Sequence, residues 1–214
     1  MRGDFVEALL RKCFASLSLP QTRQLQAHLM TTGQFQIPTS SPRSKLLELY
    51  ALTLKSLSSA IRAFSQIPSP STNDWNAIIR GFAHSPDPTP AFGWYRSMLR
   101  APRKADALTC SFVLKACARV LARAESLQLH SHVVRRGFLA DALLGTTLLD
   151  SYAKLGELDL AKKVFDEMRK RDVASWNALI CGFAQGSRAV EALGLFERME
   201  GEGFAPNDVS LIVF

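Results

Sequence analysis

Two stretches, "NDWNAIIRGFAHS" at 73–85 and "VASWNALICGFAQGS" at 173–187, repeat most of one phrase. Their tryptophans, Trp75 and Trp176, lie 101 positions apart. In both stretches, apolar side chains follow the tryptophan at the third, fourth and seventh positions, which is the spacing of one face of an amphipathic helix. A phrase that returns within a chain of 214 residues predicts an internal repeat.

The same helical spacing recurs in four further segments. They are Val6, Leu9, Leu10 and Cys13; Leu46, Leu47 and Tyr50; Cys110, Val113, Leu114 and Cys117; and Gly145, Leu148, Leu149 and Tyr152. A second apolar pattern with spacing i, i+4, i+7 follows, as in Ala161, Phe165 and Met168. Gly156 and Gly186 stand where first helices are expected to end, and Ser187 is placed to cap the next helix. These patterns predict a string of helical hairpins.

The hairpins fall into units of unequal length. Full units of 35, 35, 31 and 35 residues are predicted at 72–106, 107–141, 142–172 and 173–207. Before them we predict a long unit at about 3–37 and a degenerate short one at 40–71, and after them a partial unit at 208–214. The chain therefore follows a cycle of long, long and short units, and the tryptophan phrase returns at every third one.

The positive charge of the chain is local. Lysine and arginine number 26 and aspartate and glutamate 19, which gives a net charge of +7. Residues 96–136 hold nine of the basic side chains and two of the acidic ones, so this segment accounts for the whole excess. Such a segment suits a polyanionic partner, nucleic acid before membrane, or is simply a solvated face.

Motifs for catalysis, metal binding and membrane insertion are missing from the sequence. No cysteine pair has zinc-site spacing, and Cys13, Cys110 and Cys117 lie on apolar stripes as small hydrophobic residues. His130 takes the position of Phe165 in its unit, which favours packing. No phosphate loop, nucleophile elbow, deaminase motif or membrane span is found. We therefore expect no enzyme activity, cofactor, metal or small-molecule substrate.

A 35-residue hairpin that opens with "ASWNALI" and closes with "GEGFAPN" resembles the pentatricopeptide repeat (PPR). The alternation of lengths is similar to the P-L-S triplet of the plant proteins in this family. "TCSFVLKACARV" at 109–120 with "LHSHVVRRGFLAD" at 129–141 is similar to the L motif, and "LLDSYAKLGELDLAKKVFDEM" at 148–168 to the S motif. On this resemblance the units are L at 3–37, S at 40–71, P at 72–106, L at 107–141, S at 142–172, P at 173–207 and partial L at 208–214.

The resemblance implies an all-α fold, a right-handed α-solenoid of about six stacked helix-turn-helix repeats with a partial seventh. It also implies sequence-specific binding of single-stranded organellar RNA, with about one base read per repeat. C-to-U editing or other RNA processing would follow, with a deaminase or accessory editing factors acting in trans. The organelle implied is the mitochondrion, with the chloroplast as the alternative, although no clear transit peptide is seen. The chain is expected to stop before any C-terminal editing extension.

In this family the fifth residue of the first helix and the last residue of the repeat contact the base. The matching pairs here are Asn76 with Asp106, Ser111 with Asp141, Thr146 with Asp172, and Asn177 with Asn207. The resemblance implies U for the first pair, G for the third and C for the fourth. We expect the fifth residue to face the groove, so that changing Asn177 to alanine should cost little stability.

Two further positions are singled out by their place in the first helices. The second residue of a unit wedges between bases in the family, and it is apolar at Leu108 and Leu143 but not at Asn73 or Ala174. Arg119 and Lys154, near the ends of their helices, are candidates for contacts with the RNA backbone.

Two other interpretations remain open. A helical-repeat chain also suits a protein-binding scaffold, which would show no base preference. The chain is alternatively a truncated product without independent function.

Overall fold

The computed structural model describes residues 18–37, 41–53, 55–102 and 104–207. Within these ranges the chain forms eleven α-helices and no strand. They are α1 (Leu19–Thr31), α2 (Ser41–Glu48), α3 (Leu57–Ser65), α4 (Thr72–His84), α5 (Pro90–Arg100), α6 (Ala107–Val120), α7 (Arg123–Arg136), α8 (Ala142–Lys154), α9 (Leu158–Glu167), α10 (Val173–Gln185) and α11 (Ala189–Gly201). A π-helical turn, Leu49–Thr53, continues α2, and 3₁₀ turns lie at Gln34–Gln36 and Phe138–Ala140.

The predicted all-α fold is confirmed over the described residues, where first and second helices alternate. The first helix predicted around Val6 and Cys13, and the partial unit 208–214, lie outside the described residues. The chain divides into two compact units, residues 1–113 and residues 114–214.

First helices pack against first helices within each of these compact units. In residues 1–113, α4 lies against α2 and against its own partner α5. In residues 114–214, α10 lies against α8 and α9 and against its partner α11. The fifth residues of consecutive hairpins in each compact unit are therefore carried by adjacent helices.

Glycine in the repeated phrase permits this close packing of helices. A Cβ atom built on Gly182 of α10 would lie 2.6 Å from the Cβ of Ala153 on α8. A Cβ atom on Gly81 of α4 would lie 2.7 Å from the Cβ of Ala51. Real Cβ atoms do not approach so closely, so glycine at this position sets the spacing between successive first helices.

The two tryptophans of the phrase occupy the core, as predicted. Trp176 is 0% exposed, and its ring meets that of Phe165 edge-on at 4.5 Å between centroids. Trp75 is 8% exposed and packs edge-on against Phe64 at 4.8 Å. The aromatic rings of the second helices thus hold the first helices in place.

The helix end predicted at Gly156 is confirmed, whereas the N-cap predicted at Ser187 is wrong. Gly156 has a φ of 74° just after α8, a left-handed conformation that glycine adopts without strain. Ser187, predicted to cap α11, instead adopts a φ of 60°, and Arg188 takes the N-cap position. Ser187 therefore lies in the turn between α10 and α11 in a left-handed conformation, one residue before the N-cap.

Candidate nucleic-acid interface

Asn76 and Asp106, predicted as a pair from their register in the unit, are hydrogen-bonded to each other. Asn76 Nδ2 donates to Asp106 Oδ1 at 3.2 Å and to Oδ2 at 3.4 Å. Asn76 stands on α4, whereas Asp106 directly precedes α6. The pair therefore joins the first helix of one hairpin to the start of the next.

Thr109, on the first turn of α6, completes this cluster. Its hydroxyl lies 2.6 Å from Asn76 Oδ1 and 2.7 Å from Asp106 Oδ1. The backbone N–H of Thr109 donates to Asp106 Oδ1 at 2.7 Å, and that of Asp106 donates to Thr109 Oγ1 at 3.2 Å. Aspartate before the helix and threonine three residues later thus cap α6 reciprocally.

The second pair of this kind, Asn177 with Asn207, is also brought together. Asn177 Nδ2 donates to Asn207 Oδ1 at 2.9 Å. Asn177 is the residue after Trp176 on α10, as Asn76 is the residue after Trp75 on α4. The repeated phrase therefore produces the same local geometry twice.

The expected exposure of the two asparagines is wrong. Asn76 is 4% exposed and Asn177 is 8% exposed, because each amide turns back onto the residue that ends its unit. Asp106 is half-buried and Asn207 is exposed, so the last residue of each unit is the more accessible partner. Loss of the Asn177 amide is therefore expected to cost about 1–3 kcal/mol rather than little.

Thr146 and Asp172 are not joined in this way. The hydroxyl oxygen of Thr146 is buried and has no hydrogen-bond partner among the described residues. Asp172 is exposed and caps α10, where its Oδ1 accepts from the backbone N–H of Ser175 at 2.8 Å. Register alone therefore does not produce a hydrogen-bonded pair in the 142–172 hairpin.

The pair predicted for the remaining full unit, Ser111 with Asp141, involves one buried and one exposed side chain. Ser111 is 4% exposed on α6. Asp141 caps α8, where its Oδ1 accepts from the backbone N–H of Leu144 at 2.9 Å. The two residues belong to different compact units.

The second residues of the units are exposed on the first turns of their helices. Leu143 is 63% exposed on α8, and Leu108 is 45% exposed on α6. Asn73 and Ala174 are also exposed. An accessible leucine at this position can stack on a base, whereas asparagine and alanine offer little area for it.

Both residues predicted to reach the RNA backbone are exposed. Lys154 Nζ lies 2.7 Å from Asp150 Oδ2, one helical turn earlier on α8. This ion pair competes with any phosphate for the ammonium group. Arg119 is exposed on α6, and Lys115 is exposed one turn before it. Spacing of four residues places these two cations on one side of the helix.

Several hydrogen-bond partners were not found from the sequence. Thr109 is one of them. An aspartate followed three residues later by a threonine is a capping pattern, and this pattern could have indicated its role. Asp74 occupies the corresponding position of the preceding hairpin, three residues after Ser71, and its Oδ1 accepts from Ser44 Oγ at 2.7 Å. Ser44 is the fifth residue of the 40–71 unit. Contact between the fifth residue of one unit and the third of the next therefore occurs twice.

Titratable groups near the core serve packing in the described part of the chain. Cys110 and Cys117 are 0% exposed, as their place on the apolar stripe predicted. Burial raises the pKa of the Cys117 thiol to about 11. His130 donates to or accepts from the hydroxyl of Tyr152 at 2.9 Å, and burial lowers the pKa of its imidazole.

The described residues form neither a cluster that could hold a metal ion nor a helix that could span a membrane. No group of three or more histidine, cysteine, aspartate or glutamate side chains could hold a metal ion there. None of the helices in the same ranges is long and apolar enough to cross a membrane.

Comparisons with known proteins point to one family. A family model described as "PPR repeat" matches residues 146–173 and 174–204. The pentatricopeptide repeat-containing protein At1g34160 of Arabidopsis thaliana is 52% identical over 99% of this chain and 37% of its own length. The mitochondrial pentatricopeptide repeat-containing protein OGR1 of rice, Oryza sativa subsp. japonica, is 41% identical over 91% of this chain and 35% of its own length.

Solved structures agree on the fold. The crystal structure of PPR10 from maize superposes with a TM-score of 0.69 over 97% of this chain and 30% of PPR10, at 21% identity. PPR10 in complex with an 18-nt psaJ RNA element superposes with a TM-score of 0.63 over 97% of this chain and 35% of that chain, at 15% identity. At these identities the likeness shows the helical-repeat fold alone.

The chain spans about a third of the curated relatives it matches, with shares of 37%, 34% and 35% for three of them. The assignment to P-L-S triplets and the unit boundaries therefore remain predictions. The matched repeats at 146–204 and the similarity along 99% of the chain together support its place in the pentatricopeptide repeat family.

Proposed function

We propose that the protein binds single-stranded RNA in a plant organelle and reads its sequence through the ends of its helical hairpins. One observation carries this proposal: in both hairpins with the Trp-Asn phrase, the fifth residue is hydrogen-bonded to the last residue of the unit. Two asparagines that merely faced solvent would not be expected to form the same hydrogen bond in both hairpins. The neighbouring structure of PPR10 with an RNA element gives the proposal its ligand class.

The chemistry of the two pairs favours different bases. Asparagine has both donors and an acceptor, whereas an ionised aspartate only accepts. Asp106 and Asn207 are the more accessible members of their pairs. Asp106 offers a base only acceptors, whereas Asn207 can also donate through its amide. We assign U to the first pair and C to the second. Thr146 with Asp172 is assigned G, and Ser111 with Asp141 is left without a base.

A role in C-to-U editing, as a site-recognition factor, is the finer form of this proposal, with a deaminase supplied in trans. Relatives named as mitochondrial make that organelle the first choice and the chloroplast the second. Neither the edited site nor the deaminase is needed for the binding proposal itself.

An amide-to-acid substitution tests the pairs Asn76–Asp106 and Asn177–Asn207 as reading pairs, that is, as pairs that each recognise one base. Asn207→Asp should shift the base preferred by the 173–207 unit from C towards U, by about five- to tenfold, which is the effect of one hydrogen bond. The assay is competition between RNAs that differ at that base alone. Gln128→Glu, an exposed position on α7, makes the same chemical change away from the pairs and should leave base preference unaltered. Equal weakening for all four bases would contradict the pairing.

A protein-binding scaffold is the second candidate, and one observation favours it. Val190 and Leu193 lie one turn apart on α11 and are 86% and 48% exposed. An apolar face of this kind suits a protein partner. The scaffold predicts no preference among RNA bases, so the same competition assay separates the two candidates.

A further inference from the structure

We propose that Thr109 is a specificity-determining positioning residue, which fixes the orientation of the Asn76 amide and thereby the base read by the pair Asn76–Asp106. This inference rests on the proposed function. It concerns a residue of the following hairpin, outside the unit whose base it would control.

The orientation of an asparagine amide is decided by its hydrogen-bond partners, because its oxygen and nitrogen have nearly the same shape. Asp106 accepts from Asn76 Nδ2 on one side of the amide. The hydroxyl of Thr109 lies 2.6 Å from Asn76 Oδ1 on the other side. With a donor at one end and a carboxylate at the other, one orientation of the amide satisfies both partners.

The single hydroxyl proton of Thr109 is best assigned to Asn76. Asp106 Oδ1 already accepts from the backbone N–H of Thr109 at 2.7 Å and from Asn76 at 3.2 Å. Among the described residues, Asn76 Oδ1 accepts from Thr109 Oγ1 and from no other donor. Because Asn76 is 4% exposed, loss of that donor would leave a buried carbonyl oxygen unsatisfied.

Burial makes this restraint effective. Thr109 is 0% exposed, so its hydroxyl is screened from competing water. One N–H of Asn76 is used by Asp106, and the oriented amide keeps its second N–H for a base acceptor. If the amide could turn over, it would offer the base a carbonyl oxygen instead. The donors and acceptors that Asn76 offers a base therefore depend on Thr109 as well as on Asp106.

A second contact of this type supports the assignment. Ser44 Oγ donates to Asp74 Oδ1 at 2.7 Å, and Asp74 is the third residue of its unit, as Thr109 is of the next one. Ser175 holds the equivalent place in α10 and shows the opposite case. Its hydroxyl donates to the backbone carbonyl of Asp172 at 2.8 Å, while Thr146 Oγ1 has no partner. Ser175 thus caps a helix without touching a fifth residue.

Threonine-to-valine substitution provides the test, because valine keeps the shape and removes the hydroxyl. Base preference at the 72–106 register is measured by competition between RNAs that carry U or C at that base. Thr109→Val should reduce the preference for U about five- to tenfold, with affinity for the RNA set as a whole changed less than about twofold. Thr109→Ser retains the hydroxyl and should retain the preference.

Ser175→Ala is the matched control for loss of the helix cap. It should lower the melting temperature as Thr109→Val does and leave the preference at the 142–172 register unchanged. The side-chain amide signals of Asn76 in a ¹⁵N spectrum of the RNA-free protein give a second readout. We expect these signals to move or broaden in Thr109→Val and to be kept in Thr109→Ser.

The outcomes separate the two proposals. If the native protein prefers U and Thr109→Val retains that preference, the positioning role of Thr109 is wrong and the reading pair stands. If Thr109→Ser loses the preference as fully as Thr109→Val, packing of the threonine methyl matters rather than its hydroxyl, and the inference is overturned. If the native protein shows no base preference at this register, the reading pair and the inference fail together.

Discussion

At the scale of single residues, the ion pair between Arg43 and Asp74 shows how the hairpins of residues 1–113 are held together. Both side chains are 0% exposed, and Arg43 Nη2 lies 2.6 Å from Asp74 Oδ2. Hydrogen bonds from Ser44 Oγ and from the backbone N–H of Ser71, each 2.7 Å long, occupy further acceptor sites on the carboxylate. Removal of one partner would leave the other charge buried without compensation.

We expect Arg43→Ala to lower the free energy of unfolding by about 3–5 kcal/mol, because the buried Asp74 carboxylate loses the cation that lies against it. Urea denaturation at neutral pH measures this. Glu48→Gln is the control, since Glu48 and Arg80 lie 3.6 Å apart with side chains 36% and 40% exposed, and its cost should stay below about 1 kcal/mol. Equal losses in the two variants would show that burial does not set the strength of these pairs.

At the scale of helices, the distance between α8 and α10 is set by one small residue on each. Gly182 of α10 faces Ala153 of α8, and Gly81 of α4 faces Ala51 in the same way. The glycine costs helix propensity, yet it lets consecutive first helices approach more closely than side chains would allow. Close approach in turn places the fifth residue of one unit within reach of the next unit.

Gly182→Ala should therefore destabilise the protein by about 1–3 kcal/mol, although alanine is the better helix former, because its Cβ would lie 2.6 Å from that of Ala153. Gly194→Ala on α11 is the matched control. A Cβ there has no atom within 4 Å, so this change should stabilise by about 0.5–1 kcal/mol. Thermal or urea melts of the two variants should move in opposite directions, and parallel shifts would refute the packing argument.

Elements of this fold could be predicted from the sequence where their signals are local. The spacing of apolar side chains around Trp75 and Trp176 is sufficient to place two first helices and their buried faces, since a helix repeats every 3.6 residues. Burial of Asn76 could not be predicted in the same way. It depends on partners 30 and 33 positions away, Asp106 and Thr109, whose approach is decided by how consecutive hairpins pack. The pair of Arg43 with Asp74, 31 positions apart, was missed for the same reason.

At the scale of the whole chain, charge is the property that should govern association with a polyanion. The net charge is +7, and residues 96–136 account for all of it. Within residues 114–214, Lys115 and Arg119 are both exposed one turn apart on α6. Both residues lie on a first helix, and we expect them to contact the phosphates of a bound strand.

The affinity for single-stranded RNA of mixed sequence should consequently fall with salt, with a log–log slope of about −0.7 for each phosphate neutralised. If Lys115 and Arg119 each contact one phosphate, their joint replacement by glutamine should make the slope shallower by about 1.4. Joint replacement of Lys162 and Lys163, exposed on α9, removes the same charge and should leave the slope unchanged, because α9 is a second helix. Filter binding across a series of salt concentrations measures all three proteins. An equal change for both pairs would mean that net charge alone, rather than the face of α6, attracts the RNA, and a flat profile for the native chain would remove RNA as its ligand.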